Sequence, residues 1–433
     1  MMRESLYRAV WRWHFYAGLI VLPMLMWLAA TGALYLYKPE LERVVYGTWT
    51  QRQFTGPPTA LAPMLDRVAA QMPGRVTRIE RPADPDASWR MTLVRPDGER
   101  LTVFVDPAFG QVLGSAAEGG VMETVKRLHS LAITGPIGNA LVEIAAGWVI
   151  LLCLSGFYLW WPRAGQRAIA LRGHPRQRLF WRDLHASAGA IVGGVILFLA
   201  VTGMPWSGYW GGWLRGAVTA SGGGRPAAPG PARGDHADHG SADPALPWSM
   251  RHRGHPMGHG GADIGPDRAI AIASARGIES AWSLTPPAEA GAPYLIAAAT
   301  PRADGARVLY LDAADGRVLL DAPYATFGRG AQAIEWGIAV HQGQQYGEVN
   351  RLVMLAGCIG AWLLALTAPI LWWKRRRAGR LTPPPRADNR RARRGVAAIM
   401  VTVGALFPLT GATMLAALAG EWIWRAIRSR FAT

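Results

Sequence analysis

The chain has 433 residues, half of them hydrophobic, with 20 tryptophans and two cysteines. Several apolar runs are long enough to cross a hydrocarbon core of about 30 Å, which excludes an ordinary water-soluble globular protein. The formal net charge of +17 is gathered in clusters beside those runs. Such clusters set membrane orientation and remove the case for nucleic-acid binding.

Residues 1–37 hold the first predicted span, near 15–37. Its apolar stretch is too long for a secretory signal and no small-residue cleavage site follows, so it reads as a retained anchor. His14 opens it in the run H-F-Y-A-G, and Thr31-Gly32 lies near its end. At about 100° per residue, Gly18 shares the azimuth of His14 and Gly32 returns to it. Residues 38–137 form a first outer segment, with a helix over 63–72 and strands over 75–80, 89–94, 101–105 and 111–113. His129 stands six residues before Gly135, ahead of a second span at 138–161 that ends in Trp160-Trp161.

A basic connection, 162–185, carries Arg163, Arg167, Arg172, Arg176, Arg178 and Arg182. The third span, 186–210, follows His185, whose run H-A-S-A-G reaches Thr202-Gly203 at the offsets of the first copy. Gly189 and Gly203 stand where Gly18 and Gly32 stood. Residues 211–349 form a second outer segment, with a helix over 267–276 and strands over 280–284, 294–298 and 307–311. Its closing hairpin, V-L-Y-L-D-A-A-D-G-R-V-L, matches V-F-V-D-P-A-F-G-Q-V-L of the first, so Asp106 pairs with Asp312 and Gly110 with Gly316. Aspartate and glycine at those places are turn residues.

Only the second outer segment contains an insertion, 221–265, rich in Gly, Pro, Ala and His. His236, His239, His252, His255 and His259, with Met250 and Met257, offer transient transition-metal binding; the composition equally suits a disordered insertion. His341 lies six residues before Gly347, as His129 does before Gly135, and a fourth span at 350–373 ends in Trp372-Trp373. A second basic connection, 374–395, leads to a fifth span at 396–419, where Thr410-Gly411 recurs but Arg393 holds the histidine offset. Five spans place the tail, 420–433, outside, with Arg425, Arg428 and Arg430 against the charge rule.

Self-similarity of this kind marks a duplicated architecture. Histidine recurring at the ends of apolar helices points to ligation, because an ionisable group near hydrocarbon is costly and usually functional. A six-coordinate haem takes two neutral imidazoles from different helices, with small residues that let the ring approach backbone. Depth pairs His14 with His185 near the inner surface and His129 with His341 near the outer one. His14 and Thr31 are roughly 25 Å apart along one helix at 1.5 Å per residue, so two sites are expected rather than one. The absence of C-x-x-C-H means a haem held without thioether bonds, and the outer segments carry no cysteine for a disulfide. Two plainer readings stand beside this one: histidines reaching for headgroups, and glycines that serve only close helix packing.

The motifs R-W-H-F-Y-A-G with T-G, L-H-S-L-A-I-T-G, W-R-D-L-H-A-S-A-G with T-G, and V-H-Q-G with W-W-K follow in order to about Lys374. With them the chain resembles the PepSY-associated transmembrane family, iron-regulated membrane proteins that include ferric-siderophore reductases. The resemblance implies haem b, two copies being read from the histidine pairs, and two small α+β PepSY-like domains facing the periplasm. It also implies a bacterial inner-membrane location and reduction of a periplasmic ferric siderophore or other ferric chelate. The expected fold is an α-helical integral membrane protein with duplicated helix pairs, about five transmembrane helices and a cytoplasmic N-terminus. No catalytic residue is assigned. No G-x-G-x-x-G follows a strand, so the electron donor is expected to be a quinol or a separate flavoprotein. Two other classes stay open: a transporter of haem, iron or copper, for which internal repeats are familiar, and a non-enzymatic sensor or peptidase regulator.

Overall fold

The computed structural model describes residues 2–51, 54, 56–162, 167–224, 263–289, 291–375 and 390–430. The first half of the chain runs α1 (Met2–Leu36), α2 (Lys38–Tyr46), α3 (Leu61–Gln71), β1 (Arg75–Arg81), β2 (Trp89–Val94), β3 (Arg100–Val105), β4 (Val112–Ala117), α4 (Gly120–His129) and α5 (Gly135–Trp160). Then come α6 (Arg178–Gly203), α7 (Tyr209–Ala220), α8 (Pro266–Ser274), β5 (Trp282–Thr285), β6 (Tyr294–Ala298), β7 (Arg307–Leu311), β8 (Val318–Pro323), α9 (Arg329–His341), α10 (Gly347–Trp373), α11 (Arg390–Leu406) and α12 (Pro408–Arg430). The described chain divides into two units, one of residues 1–36, 127–214 and 348–433, the other of 37–126 and 215–347.

The first unit is helical. Among the described residues four helical segments are long and apolar enough to cross a membrane: Ser5–Leu36, Ala132–Trp160, Arg178–Trp206 and Gly347–Trp373. In hydrocarbon a helix satisfies its own backbone donors and acceptors, which is why such sequences fold this way. Between these helices the core uses small side chains, among them Ala17, Ala29, Cys358 and Ala361. Packing is close between α6 and α10, where a Cβ on Gly360 would come within 2.4 Å of Val192 and one on Gly357 within 2.7 Å of Val195. Small residues that let helix backbones approach are the usual means of association where lipid and side chain are equally apolar.

The fifth span expected over 396–419 is not one helix. It breaks at Phe407, because Pro408 supplies no backbone donor and its ring clashes with the preceding turn. Gly404 and Gly411 then meet face to face, the Cβ position of Gly411 lying 2.6 Å from the Gly404 Cα. The result is a helical hairpin. Its outward arm begins with Gly395 beside Leu6 and ends where the Leu406 carbonyl accepts the Trp210 indole N–H at 2.9 Å. Its return arm brings Glu421 to 3.6 Å from Arg12. The tail therefore ends at the same end of the bundle as the start of α1, and an odd span count does not apply.

The second unit joins both outer segments in one antiparallel sheet, ordered β4-β3-β2-β1-β5-β6-β7-β8. Two separate small domains were expected; instead β1 pairs with β5, Ile79 opposite Leu284 and Arg81 opposite Trp282. Strand β2 shows the alternation that drives this, with Trp89, Met91 and Leu93 buried and the residues between them less so. One face is covered by Leu61, Met64 and Val68 of α3 and by Ala269 and Ala273 of α8. Strand β8, beyond the expected strands, closes one edge as β4 closes the other. The matched turns behave as capped turns: Asp106 Oδ1 accepts the Ala108 N–H at 2.8 Å, and Asp312 Oδ1 accepts that of Ala314 at 2.9 Å. Gly110 and Gly316 have φ of 65° and 77°, a left-handed backbone that favours glycine.

Candidate functional site

In the helical unit the repeat reappears as geometry. His14 on α1 reaches Ser155 on α5, Nδ1 to Oγ 2.8 Å. His185 on α6 reaches Thr367 on α10, Nδ1 to Oγ1 2.7 Å. Ser155 and Thr367 each lie five residues before the first tryptophan of the matched doublets, so the two bonds are equivalent in the duplicated scaffold. One turn further along, a Cβ on Gly18 would lie 3.8 Å from Leu152, and one on Gly189 would lie 3.7 Å from Leu364. Each copy thus repeats a histidine on a hydroxyl, then a glycine against a leucine. His14 and His185 lie in the same helical unit, each tied to its own partner helix, α5 and α10.

The hydroxyls fix where the protons sit. Ser155 Oγ lies 2.7 Å from the Leu151 carbonyl, and Thr367 Oγ1 lies 2.8 Å from that of Leu363. A hydroxyl has one hydrogen. Turned anywhere else, it would leave two oxygen lone pairs facing each other at these distances. The hydroxyl therefore donates to its own helix and accepts from Nδ1 of the histidine, which leaves Nε2 as the ring nitrogen with a lone pair. That tautomer is assigned from the network, and it is the one an axial haem ligand bonding through Nε2 requires.

His129 ends α4 and makes a related contact, Nδ1 to Thr31 Oγ1 2.9 Å. Thr31 donates in turn to the Trp27 carbonyl at 2.8 Å, and the Trp27 indole holds the Leu128 carbonyl at 2.8 Å. The His129 ring lies over Gly32, whose Cβ would be 3.4 Å from its Cε1. Burial pushes the His129 imidazole down to about 4, against a smaller opposite pull from the Leu28 carbonyl, so the ring is neutral at pH 7. His341 is the last residue of α9 and belongs to the other unit. Gly203 is the last residue of α6. His236, His239, His252, His255 and His259 lie outside the described residues, as do Met250 and Met257.

The residues fit a haem in their donor chemistry. Two neutral imidazoles with tied Nδ1 atoms come from different helices, and Gly18 and Gly189 are not demanded by the helices they face, since a Cβ there would make only ordinary contacts. By contrast Gly357 and Gly360 are fully explained by packing. Among the described residues no group of three or more His, Cys, Asp or Glu is gathered as a site for a bare metal ion. A cavity of about 70 Å³ lies beside His14, lined by Trp13, Ala17, Trp148, Ser155, Met400 and Met414. It holds far less than a porphyrin, so the fit rests on the ligands and the glycines.

Sequence reasoning missed Ser155 and Thr367. The available signal was a hydroxyl at one offset in both members of a helix pair, obscured because one copy is serine and the other threonine. Glu143 of α5 was missed as well. It is 2% exposed, and its Oε2 accepts the backbone N–H groups of Tyr209 and Trp210 at 3.0 and 3.2 Å, capping α7.

No curated protein matches the chain. The family described as the PepSY-associated TM region matches residues 11–375, which takes in α1, α5, α6 and α10 with both histidine–hydroxyl pairs. Its span and the duplicated helices agree: this chain belongs to the PepSY-associated transmembrane family.

Proposed function

We propose that this chain is a haem b-binding electron-transfer protein of the bacterial inner membrane that reduces a ferric siderophore or other ferric chelate on the periplasmic side. The observation that carries the reading is the repeated pair His14–Ser155 and His185–Thr367. Two imidazoles with free Nε2 lone pairs, held in equivalent places on different helices, are what bis-histidine ligation needs. His14 and His185 are the proposed ligands of an inner haem. His129 is proposed for an outer one, with His341 assigned as its partner from the sequence repeat alone.

Held by His14 and His185, haem would supply a reversible one-electron couple, which would suit electron transfer. The chain's own groups do the rest. Ser155 and Thr367 hold the Nδ1 protons, Gly18 and Gly189 keep the helix surface next to the histidines free of side chains, and apolar neighbours exclude water. The substrate chemistry follows from hardness: Fe(II) is bound more weakly than Fe(III) by hard oxygen chelators, so reduction releases iron. Electrons are proposed to come from quinol or a separate flavoprotein. The basic connections at 162–185 and 374–395 are assigned to the cytoplasm by the positive-inside rule.

Absorption spectra of protein purified from cells well supplied with haem test the reading. The expected result is a Soret band that sharpens with α bands on dithionite, loses the inner haem's share, about half, in His14→Ala and His185→Ala, and is reoxidised by a ferric chelate. Haem content near two per chain would support both sites. Colourless protein that nonetheless moves haem, iron or copper along a gradient would replace this reading with the transporter.

A further inference from the structure

We infer that Ser155 and Thr367 are positioning residues that select the ligating nitrogen and ring orientation of His14 and His185, an inference that rests on the haem reading above. Each hydroxyl sits within 2.7–2.8 Å of two different partners, the Nδ1 atom of a histidine on another helix and the carbonyl one turn back on its own helix. The chain of donation runs from imidazole to hydroxyl to carbonyl in both copies. It cannot run the other way, because the carbonyl has no hydrogen to give. Nδ1 is therefore the protonated nitrogen, and rotation of either ring about its own axis breaks the bond.

Threonine at 367 adds stiffness, since a β-branched side chain in a helix has few χ1 choices. Serine at 155 relies on neighbours. A Cβ on Gly156 would lie 3.4 Å from His14 Cε1, so the ring of His14 faces the glycine beside Ser155 with little space to spare.

The acceptor's chemistry also has a consequence. A metal-bound histidine whose second nitrogen is hydrogen-bonded is a stronger donor than one without that bond. A neutral hydroxyl strengthens it less than a carboxylate would, so both ligands stay imidazole in character. Removing the acceptor weakens the donor and favours the reduced iron.

The test uses Ser155→Ala and Thr367→Val in the full-length protein, with Thr367→Ser as the conservative control. In pigmented protein the reduction potential of the inner haem is expected to rise in both variants, by up to about tenfold in the redox equilibrium, ~59 mV for one electron. Haem retention is expected to fall about tenfold, and Thr367→Ser is expected to restore both. In haem-free protein with ¹⁵N-labelled histidine, three imidazoles, those of His14, His129 and His185, are expected to show protonated Nδ1 and bare Nε2, and Ser155→Ala and Thr367→Val each to convert one of them, His14 and His185 respectively, to a tautomer mixture while His129 is unchanged. Unchanged potentials and unchanged imidazole shifts in both variants would overturn the inference. Colourless wild-type protein would sink the haem reading instead, while the nitrogen shifts would still decide what the hydroxyls do.

Discussion

Glycine does two different jobs on the face shared by α6 and α10, and alanine substitution separates them. At Gly360 a Cβ would lie 2.4 Å from Val192 Cγ2 and 2.9 Å from its Cβ, and a valine in a helix cannot turn its branch aside. Overpacking of this kind costs about 1–3 kcal/mol, while exchanging glycine for alanine in a helix returns about 1 kcal/mol. The net expectation for Gly360→Ala is a loss of roughly 0–2 kcal/mol. At Gly189 the nearest atom is a leucine methyl at 3.7 Å, an ordinary contact, so only the helix term applies and the fold should gain up to about 1 kcal/mol. The haem reading adds an opposite expectation, that Gly189→Ala and Gly18→Ala bind the pigment less well although the helices tolerate them. Thermal unfolding in detergent, run on haem-free and pigmented protein, measures both. Equal destabilisation by Gly189→Ala and Gly360→Ala would refute the packing argument, and full pigment in Gly18→Ala and Gly189→Ala would return those glycines to mere helix spacing.

Three more outcomes are expected. Arg307 holds the Asp321 carboxyl below the usual carboxylate range through two hydrogen bonds of 2.8 and 2.7 Å, with Arg276 adding to it; Asp321→Asn should cost about 1 kcal/mol at pH 7. Because that carboxyl is lowered in the folded chain, its contribution is present above the unfolded value of about 3.9 and disappears as pH falls through the native one. A denaturation series from pH 7 to 3 should therefore show the variant converging on wild type, and a constant gap would contradict the pairing. Glu143→Ala orphans the Tyr209 and Trp210 N–H groups and should cost about 1–3 kcal/mol, whereas Glu143→Gln keeps one acceptor and should cost less in the same unfolding measurement. Reporter tags fused to the two termini should be found on one side of the membrane, since Glu421 returns to Arg12; opposite sides would contradict the hairpin.

Much of the scaffold was legible because equal offsets survive divergence: the histidines, the Thr-Gly pairs and the tryptophan doublets fall at the same places in α1 and α6 or in α5 and α10. Three strands, 89–94, 294–298 and 307–311, were read to the residue from alternation and flanking turns. The joining of β1 to β5 was not legible, because edge strands pair through backbone groups that every sequence carries. Nor was the break of the fifth span, and the reason is instructive. Pro23 and Pro369 lie inside α1 and α10 without ending them, so proline alone does not signal a reversal in these helices. What distinguishes Pro408 is its setting between Gly404 and Gly411, which lets two helix backbones touch. The Thr-Gly pair shows the same dependence on setting. At Thr31 the hydroxyl meets a histidine nitrogen; at Thr410, on α12, where the offset that would hold histidine falls instead at Arg393 on the separate α11, it packs on Gly147 and leaves no room for a Cβ there. A motif shared by three helices therefore marks a common way of packing, and only the residue that arrives opposite it decides whether a ligand is held.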